Sequence, residues 1–218
     1  MKIKKLITGD GSDTLYNPEI GDHYHSVFGA VEESSHIYIN SAYNYFNKKS
    51  LNVLEIGFGT GLNAILTCIE SKKKRIHTIY HSLELYPLGS VITDNLNYSD
   101  IFINDKNIIK HIHSCRWEEE CRIDDYFVLK KIKADILSYS INEKYDLVYY
   151  DAFGPDKQAL LWTKEIFSKI FNSLNNGGIL TTFSVKGIVK RALKASGFNI
   201  HRLPGPSGKR HIIRAEKP

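Results

Sequence analysis

The chain has 218 residues, 42% of them hydrophobic, enough for one ordinary domain with a real core, and it holds no low-complexity stretch or internal repeat. The net charge of +5 is uneven: Ser184 to Pro218 holds nine Lys or Arg against one acid, a surplus of eight, which leaves −3 on the rest. No apolar run approaches the ~20 residues that span a bilayer, the start Met1 to Lys5 lacks a secretory apolar segment, and three cysteines suit a reducing compartment, so a cytoplasmic protein is expected.

Residues 1 to about 45 show no strand–helix alternation. They are expected to form an N-terminal extension, hairpin-like at its start, that covers a ligand site belonging to a domain over 46–218. Leu51 to Ile56 reads as a short buried strand. Leu62, Ile65, Leu66 and Ile69 give the next segment a helical face. Ile76 to Leu85 is a second strand that ends in Glu84, and a helical region follows Pro87. His111-Ile-His-Ser-Cys115 invites a metal reading, but no Cys-x-x-Cys or helical His pair accompanies it; a surface strand or loop is expected, and no metal.

Tyr126 to Ile132 is a third strand, ending near Ala134-Asp135. Tyr145 to Asp151 is the clearest strand, apolar nearly throughout as a central parallel strand should be. A helix with Ile166, Phe167, Ile170, Phe171 and Leu174 on one side is expected to stop at Gly177-Gly178, and Ile179 to Phe183 is the next strand. Ser184 can cap a helix with Val185, Ile188, Val189, Ala192 and Leu193 inward. Phe198 to Leu203 and His211 to Ala215 form an antiparallel hairpin. Alternating β and α predicts an α/β fold with a mostly parallel sheet covered on both faces.

Between the first strand and its helix stands Glu55-Ile-Gly-Phe-Gly-Thr-Gly61. A dinucleotide loop wants glycines at positions one, three and six; counted from Gly57, the sixth residue is Leu62, so that fingerprint fails. The Gly-Lys-Ser/Thr phosphate loop is absent too. An acid followed by Gly57, Gly59 and Gly61 resembles motif I of the class I methyltransferases, whose loop holds the amino acid and ribose of S-adenosylmethionine. A ligand-free Gly-rich turn is the bland alternative. Four acids, Glu55, Glu84, Asp135 and Asp151, fall at strand ends, where open α/β sheets bind ligands. Glu84 is placed for ribose hydroxyls, Asp135 for the adenine amino group, and Glu55 and Asp151 for the cationic end of the cofactor.

Asp151-Ala-Phe-Gly-Pro-Asp-Lys157 followed by Leu161-Trp-Thr163 resembles a signature of the tRNA 5-methylaminomethyl-2-thiouridine-forming methyltransferases, the MnmC type. Glu55 to Asn63, Leu83 to Leu88, Gly177 to Ser184, Val189 to Phe198 and Gly208-Lys-Arg210 match in order, as do His23-Tyr-His-Ser26 and Gly29 to Ser34. Ala152 and Ala159 depart from the pattern without removing a functional group. The resemblance implies a class I, Rossmann-like fold with a seven-stranded sheet, last strand antiparallel. It implies S-adenosyl-L-methionine held by Tyr24, Glu55, Gly57, Phe58, Gly59, Gly61, Asn63, Glu84, Asp135, Ile136 and Asp151. It also implies N-methylation of 5-aminomethyl-(2-thio)uridine at the tRNA wobble position. Bifunctional relatives continue into a flavin oxidoreductase; with the chain ending at Pro218, a stand-alone methyltransferase without flavin is expected.

Asp151 is the expected catalytic group, orienting the amine and receiving its proton. Phe153 and Trp162 are candidates for framing the uracil, with core packing the expected role of at least one. Lys186, Lys190, Arg191, Lys209 and Arg210 are expected to form a basic rim for tRNA. Two other readings stand beside this one. An aminopropyltransferase of the spermidine synthase type would share the fold but leaves the basic C-terminus unexplained. A non-catalytic RNA-binding module would leave the intact glycine loop and four acids unexplained.

Overall fold

The alternation read from Leu51 onward folds into one sheet with helices on both faces, in a computed structural model that describes residues 3–218. Residues 1 and 2 of the expected extension lie outside the described residues. The chain opens with β1 (Lys4–Ile7), β2 (Asp13–Asn17) and β3 (Asp22–His23), a small antiparallel sheet, then α1 (Ala30–Ser34) and a π-helical turn, Ser35–Asn40. The main body follows as β4 (Ser50–Ile56), α2 (Leu62–Lys74), β5 (His77–Glu84), α3 (Ser90–Thr93), α4 (Tyr98–Ile101), α5 (Lys106–Ser114), β6 (Glu120–Asp124) and β7 (Phe127–Lys133). It ends with β8 (Tyr145–Tyr150), α6 (Lys164–Ser173), β9 (Leu174–Thr182), α7 (Gly187–Ala195), β10 (Asn199–Pro204) and β11 (His211–Glu216).

The strand order is β10-β11-β9-β8-β4-β5-β7-β6. β9, β8, β4, β5 and β7 run parallel, and β11 lies antiparallel between β9 and β10. All six residues of β8 are buried. Its side chains alternate between faces: Leu147 and Tyr149 join the core around α2 and α5, Val148 and Tyr150 the core around α6 and α7. The order turns outward in both directions from β4 and β8. Their carboxyl ends therefore flank the crevice where such sheets take ligands.

All seven expected strands are present, and an eighth, β6, adds an antiparallel edge. Of its residues only Ile123 is buried, so no apolar pattern announces it. His111 to Ser114 close a helix rather than a surface strand or loop, because Ile108, Ile109 and Ile112 make a buried helical stripe in α5. Cys115 and Cys121 are joined by a disulfide and Cys68 is a buried free thiol, a pairing that the reading of three cysteines as suited to a reducing compartment did not anticipate. Gly177-Gly178 do not end a helix. β9 already begins at Leu174, and the glycines lie inside it, where Gly177 donates to the Lys217 carbonyl. Helix α7 starts at Gly187 with Lys186 before it, while Ser184 is buried and turned back on Thr182. No described helix is long and apolar enough to cross a membrane.

Candidate active site

A cleft of about 1100 Å³ opens beyond the carboxyl ends of β4, β5, β7 and β8. Tyr24, Phe58, Glu84, Asp135, Ile136, Asp151 and Phe153 all line it, and residues of the N-terminal segment, among them Tyr24 and Glu33, form part of its wall. The strands bring these residues together through register. Gly57 donates to the Leu83 carbonyl and Asp151 to the Ile56 carbonyl, so three neighbouring strand ends are tied side by side.

The glycine loop is bare for reasons internal to the chain as well as for a ligand. A Cβ on Gly57, at φ +97°, would stand 2.7 Å from the Asp151 carbonyl oxygen, and one on Gly59 would stand 3.0 Å from the Tyr24 ring. The loop backbone thus approaches β8 more closely than any side chain allows. Its amide at Gly59 donates to Glu84 Oε2 at 3.1 Å, and Glu84 Oε1 accepts from Tyr86 at 2.9 Å. The carboxylate is therefore fixed at the cleft wall. Asp135 accepts from the Leu137 amide at 2.9 Å. This donor and acceptor set, a bare loop with an aromatic side and fixed carboxylates at two strand ends, fits an adenosine with a cationic tail.

Asp151 sits at the floor, half-buried and facing the cleft. The Tyr38 hydroxyl donates to its Oδ1 at 2.5 Å, and Asn63 Nδ2 donates to its Oδ2 at 2.8 Å. The same Asn63 nitrogen donates to Glu55 Oε1 at 3.0 Å, and Ser82 donates to Glu55 Oε2 at 2.6 Å. Burial pushes the Asp151 carboxyl up to about 7, against the pull of its Tyr38 and Asn63 hydrogen bonds. Burial likewise pushes Glu55 up to about 8, opposed by Ser82 and reinforced by the charge of Asp151. Burial, then the Asp151 charge, keeps the Tyr38 phenol well above its usual range, so it remains a donor. Asn63 Oδ1 is buried without a partner among the described residues.

Glu55, Gly61 and Asn63 lie behind the cleft wall instead of lining it. Trp162 is buried, donates Nε1–H to the Phe153 carbonyl at 2.9 Å and stacks edge-on against Tyr150, so it holds Phe153 in place from the core. Phe153 itself faces the cleft and meets Tyr24 edge-on at 5.1 Å. Burial, then Glu84, raises the Tyr24 phenol to about 12.

The basic residues do not form one rim. Lys186 pairs with Asp156. Lys190 and Arg191 line a shallow groove with Lys194 and Arg202, and Arg210 is exposed outside the cleft. Lys209 turns into the cleft, where it pairs with Glu33 and stands 5.3 Å from the centre of the Phe183 ring. Sequence reasoning assigned no role to Tyr38, Glu33 or His25, although Glu33 and His25 fall within the matched segments Gly29 to Ser34 and His23 to Ser26. His25 is half-buried at the cleft wall, shares a 2.8 Å hydrogen bond with Thr60 Oγ1, and is brought down to about 4 by desolvation, so it is neutral. The sequence signals were faint: an acid pair, Glu32-Glu33, and a tyrosine inside the apolar run Ile37-Tyr-Ile39.

Residues 105–218 match a family model described as S-adenosyl-L-methionine-dependent methyltransferase. The tRNA 5-methylaminomethyl-2-thiouridine biosynthesis bifunctional protein MnmC of Campylobacter fetus subsp. fetus (strain 82-40) is 30% identical over 225 residues, covering 96% of this chain and 35% of that protein. The chain spans about a third of the length of the curated relatives it matches. The crystal structure of MNMC2 from Aquifex aeolicus matches at a TM-score of 0.76 and 22% identity, over 100% of this chain and 71% of that one. Spermidine synthase from Thermotoga maritima matches at 0.58 and 14%, over 100% and 72%. Both structures share the fold.

Proposed function

The chain belongs to the S-adenosyl-L-methionine-dependent methyltransferase family, and from that premise we propose that it methylates the primary amine of 5-aminomethyl-(2-thio)uridine at the wobble position of tRNA, giving 5-methylaminomethyl-(2-thio)uridine. The observation that carries this reading is the half-buried Asp151 carboxylate at the cleft floor, gripped by Tyr38 and Asn63. In that reading Glu84 takes the ribose hydroxyls, and Asp135 and Ile136 take the adenine. Tyr24, Gly57, Phe58 and Gly59 flank the amino acid end, while Glu55, Gly61 and Asn63 support it from behind. The extension over residues 3–45 covers the site, Phe153 frames the uracil, and the work is done in the cytoplasm, where tRNA is modified.

The bound cofactor supplies a methyl group already activated on a sulfonium, so the residues here have to align an amine and keep it neutral. An alkylamine with a pKa of ~10.4 is neutral in about one molecule per thousand near pH 7.4, a handicap of about 4 kcal/mol. A carboxylate at its ordinary pKa of ~3.9 would be a weak acceptor for the ammonium proton. At about 7, Asp151 is far better matched to receive it. Tyr38 and Asn63 fix both of its oxygens, and a third hydrogen bond from the amine would orient the nucleophile.

Nucleoside analysis of tRNA from a strain lacking the gene tests the reading. Accumulation of 5-aminomethyl-(2-thio)uridine, converted to the methylated form by the purified chain with S-adenosylmethionine, is the expected result. Unchanged nucleosides would refute it. An aminopropyl transfer to a polyamine would instead proceed without tRNA.

A further inference from the structure

Three ionisable side chains line the same cleft, each from a different part of the chain. Asp151 follows β8, Glu33 comes from α1, and Lys209 comes from the turn between β10 and β11. Glu33 is buried; its Oε1 takes the Lys209 ammonium, and its Oε2 takes the Ser26 amide at 2.7 Å. Lys209 is directed inward over the Phe183 ring, while its neighbour Arg210 is exposed.

We propose that Lys209 and Glu33 form a charge-balancing pair that sets the protonation of the acceptor amine in the methyl-transfer site. This inference rests on the amine-methylation reading above. An amine arriving beside Asp151 meets one carboxylate that it needs and a second, Glu33, that would hold it as an unreactive ammonium. The Lys209 ammonium occupies Glu33 and cancels its field, so only Asp151 competes for the amine proton. A fixed cation also disfavours a second cation nearby.

The other ionisable groups around the pair do not substitute for it. His25 is neutral and engaged with Thr60. Tyr38 is a phenol donating to Asp151, and Glu55 lies behind Asn63, off the cleft. Asp10 is spent on Thr8, Ser12 and the Glu32 amide. The field of Glu33 raises the Asp151 carboxyl and that of Lys209 lowers it. The amine and its proton acceptor therefore respond to the pair in the same direction, and a rate profile reads that direction without ambiguity.

The experiment is the pH dependence of single-turnover methylation at saturating tRNA carrying 5-aminomethyluridine, which reports groups in the bound complex. Lys209→Met leaves Glu33 unbalanced and should move the acid limb up by about one pH unit, a loss of about tenfold on the limb but little on the alkaline plateau. Glu33→Gln leaves Lys209 unbalanced and should move the limb down. The Lys209→Met/Glu33→Gln double variant should return it close to wild type, and Lys209→Arg should leave it there. A pair that only ties the turn to α1 would lower the plateau or the melting temperature without moving the limbs, and that result overturns the proposal. A wild-type chain that binds S-adenosylmethionine yet leaves this tRNA unmethylated would remove the substrate reading and this inference together. Wild-type turnover with unmoved limbs removes this inference alone.

Discussion

At the residue scale the proposed chemistry rests on Asp151, a half-buried carboxyl whose desolvation is offset by two side-chain donors from distant segments. Its carboxyl is raised from 3.8 to about 7, so between those pH values the folded chain holds a proton that the unfolded chain has released. The stability contributed by this group is fully present below about pH 4 and is lost as pH rises through 7. Asp151→Asn carries no charge. It should melt higher than wild type at pH 8, by the equivalent of at most about 4 kcal/mol, with the gap closing toward pH 4. The same variant should lose about a hundredfold or more in turnover. Thermal melts across pH together with single-turnover rates check both halves; equal melting at every pH would mean that the carboxyl is not buried as charge.

At the element scale the turn joining β10 and β11 is clasped onto α1 and the residues around it. Ser207 donates to Glu32 through its amide and hydroxyl, and His36 shares a hydrogen bond with the Pro204 carbonyl. Gly208 lies against Phe28, where a Cβ would stand 2.4 Å from the ring. Phe28 is exposed and can swing aside, but the φ of +80° remains. Gly208→Ala should therefore cost about 1–2 kcal/mol from the left-handed backbone alone, read by denaturant unfolding. Because Lys209 follows directly, acceptor methylation should suffer more than S-adenosylmethionine binding. A variant as stable as wild type would show that the turn relaxes to a negative φ.

At the scale of the whole molecule, the surplus of positive charge in the last 35 residues divides by partner. Lys209 and Lys186 are matched to Glu33 and Asp156, whereas Lys190, Arg191, Lys194 and Arg202 share a groove between α7 and β10 and take part in no ion pair among the described residues. In the proposed reading, that groove, with exposed Arg210 beyond it, is the surface that would neutralise tRNA phosphates. Each phosphate neutralised contributes roughly −0.7 to −0.9 to the slope of log affinity against log salt. Replacing Lys190 and Lys194 by Ala should weaken tRNA binding and flatten the slope by about one to two units, with S-adenosylmethionine affinity unchanged. Filter binding across salt concentrations checks it; an unaltered slope would leave the groove a solvated face.

The amino-acid pattern carries the parallel core and its crevice, because buried strands such as Tyr145–Tyr150 and the glycine loop after β4 are dictated by local periodicity and backbone sterics. It placed Glu84, Asp135 and Asp151 at strand ends for the same reason: a carboxylate that follows an apolar run marks where the strand meets water. Edge strand β6 was illegible, since an edge needs no apolar alternation when only Ile123 is buried. The fate of the charges was decided by tertiary structure alone. Glu33, Tyr38 and Lys209 lie 118, 113 and 58 positions from Asp151 in the numbering. Whether a lysine faces RNA or balances a buried acid depends on which carboxylate the fold brings within reach, and an electrostatic partner across that separation leaves no period in the sequence.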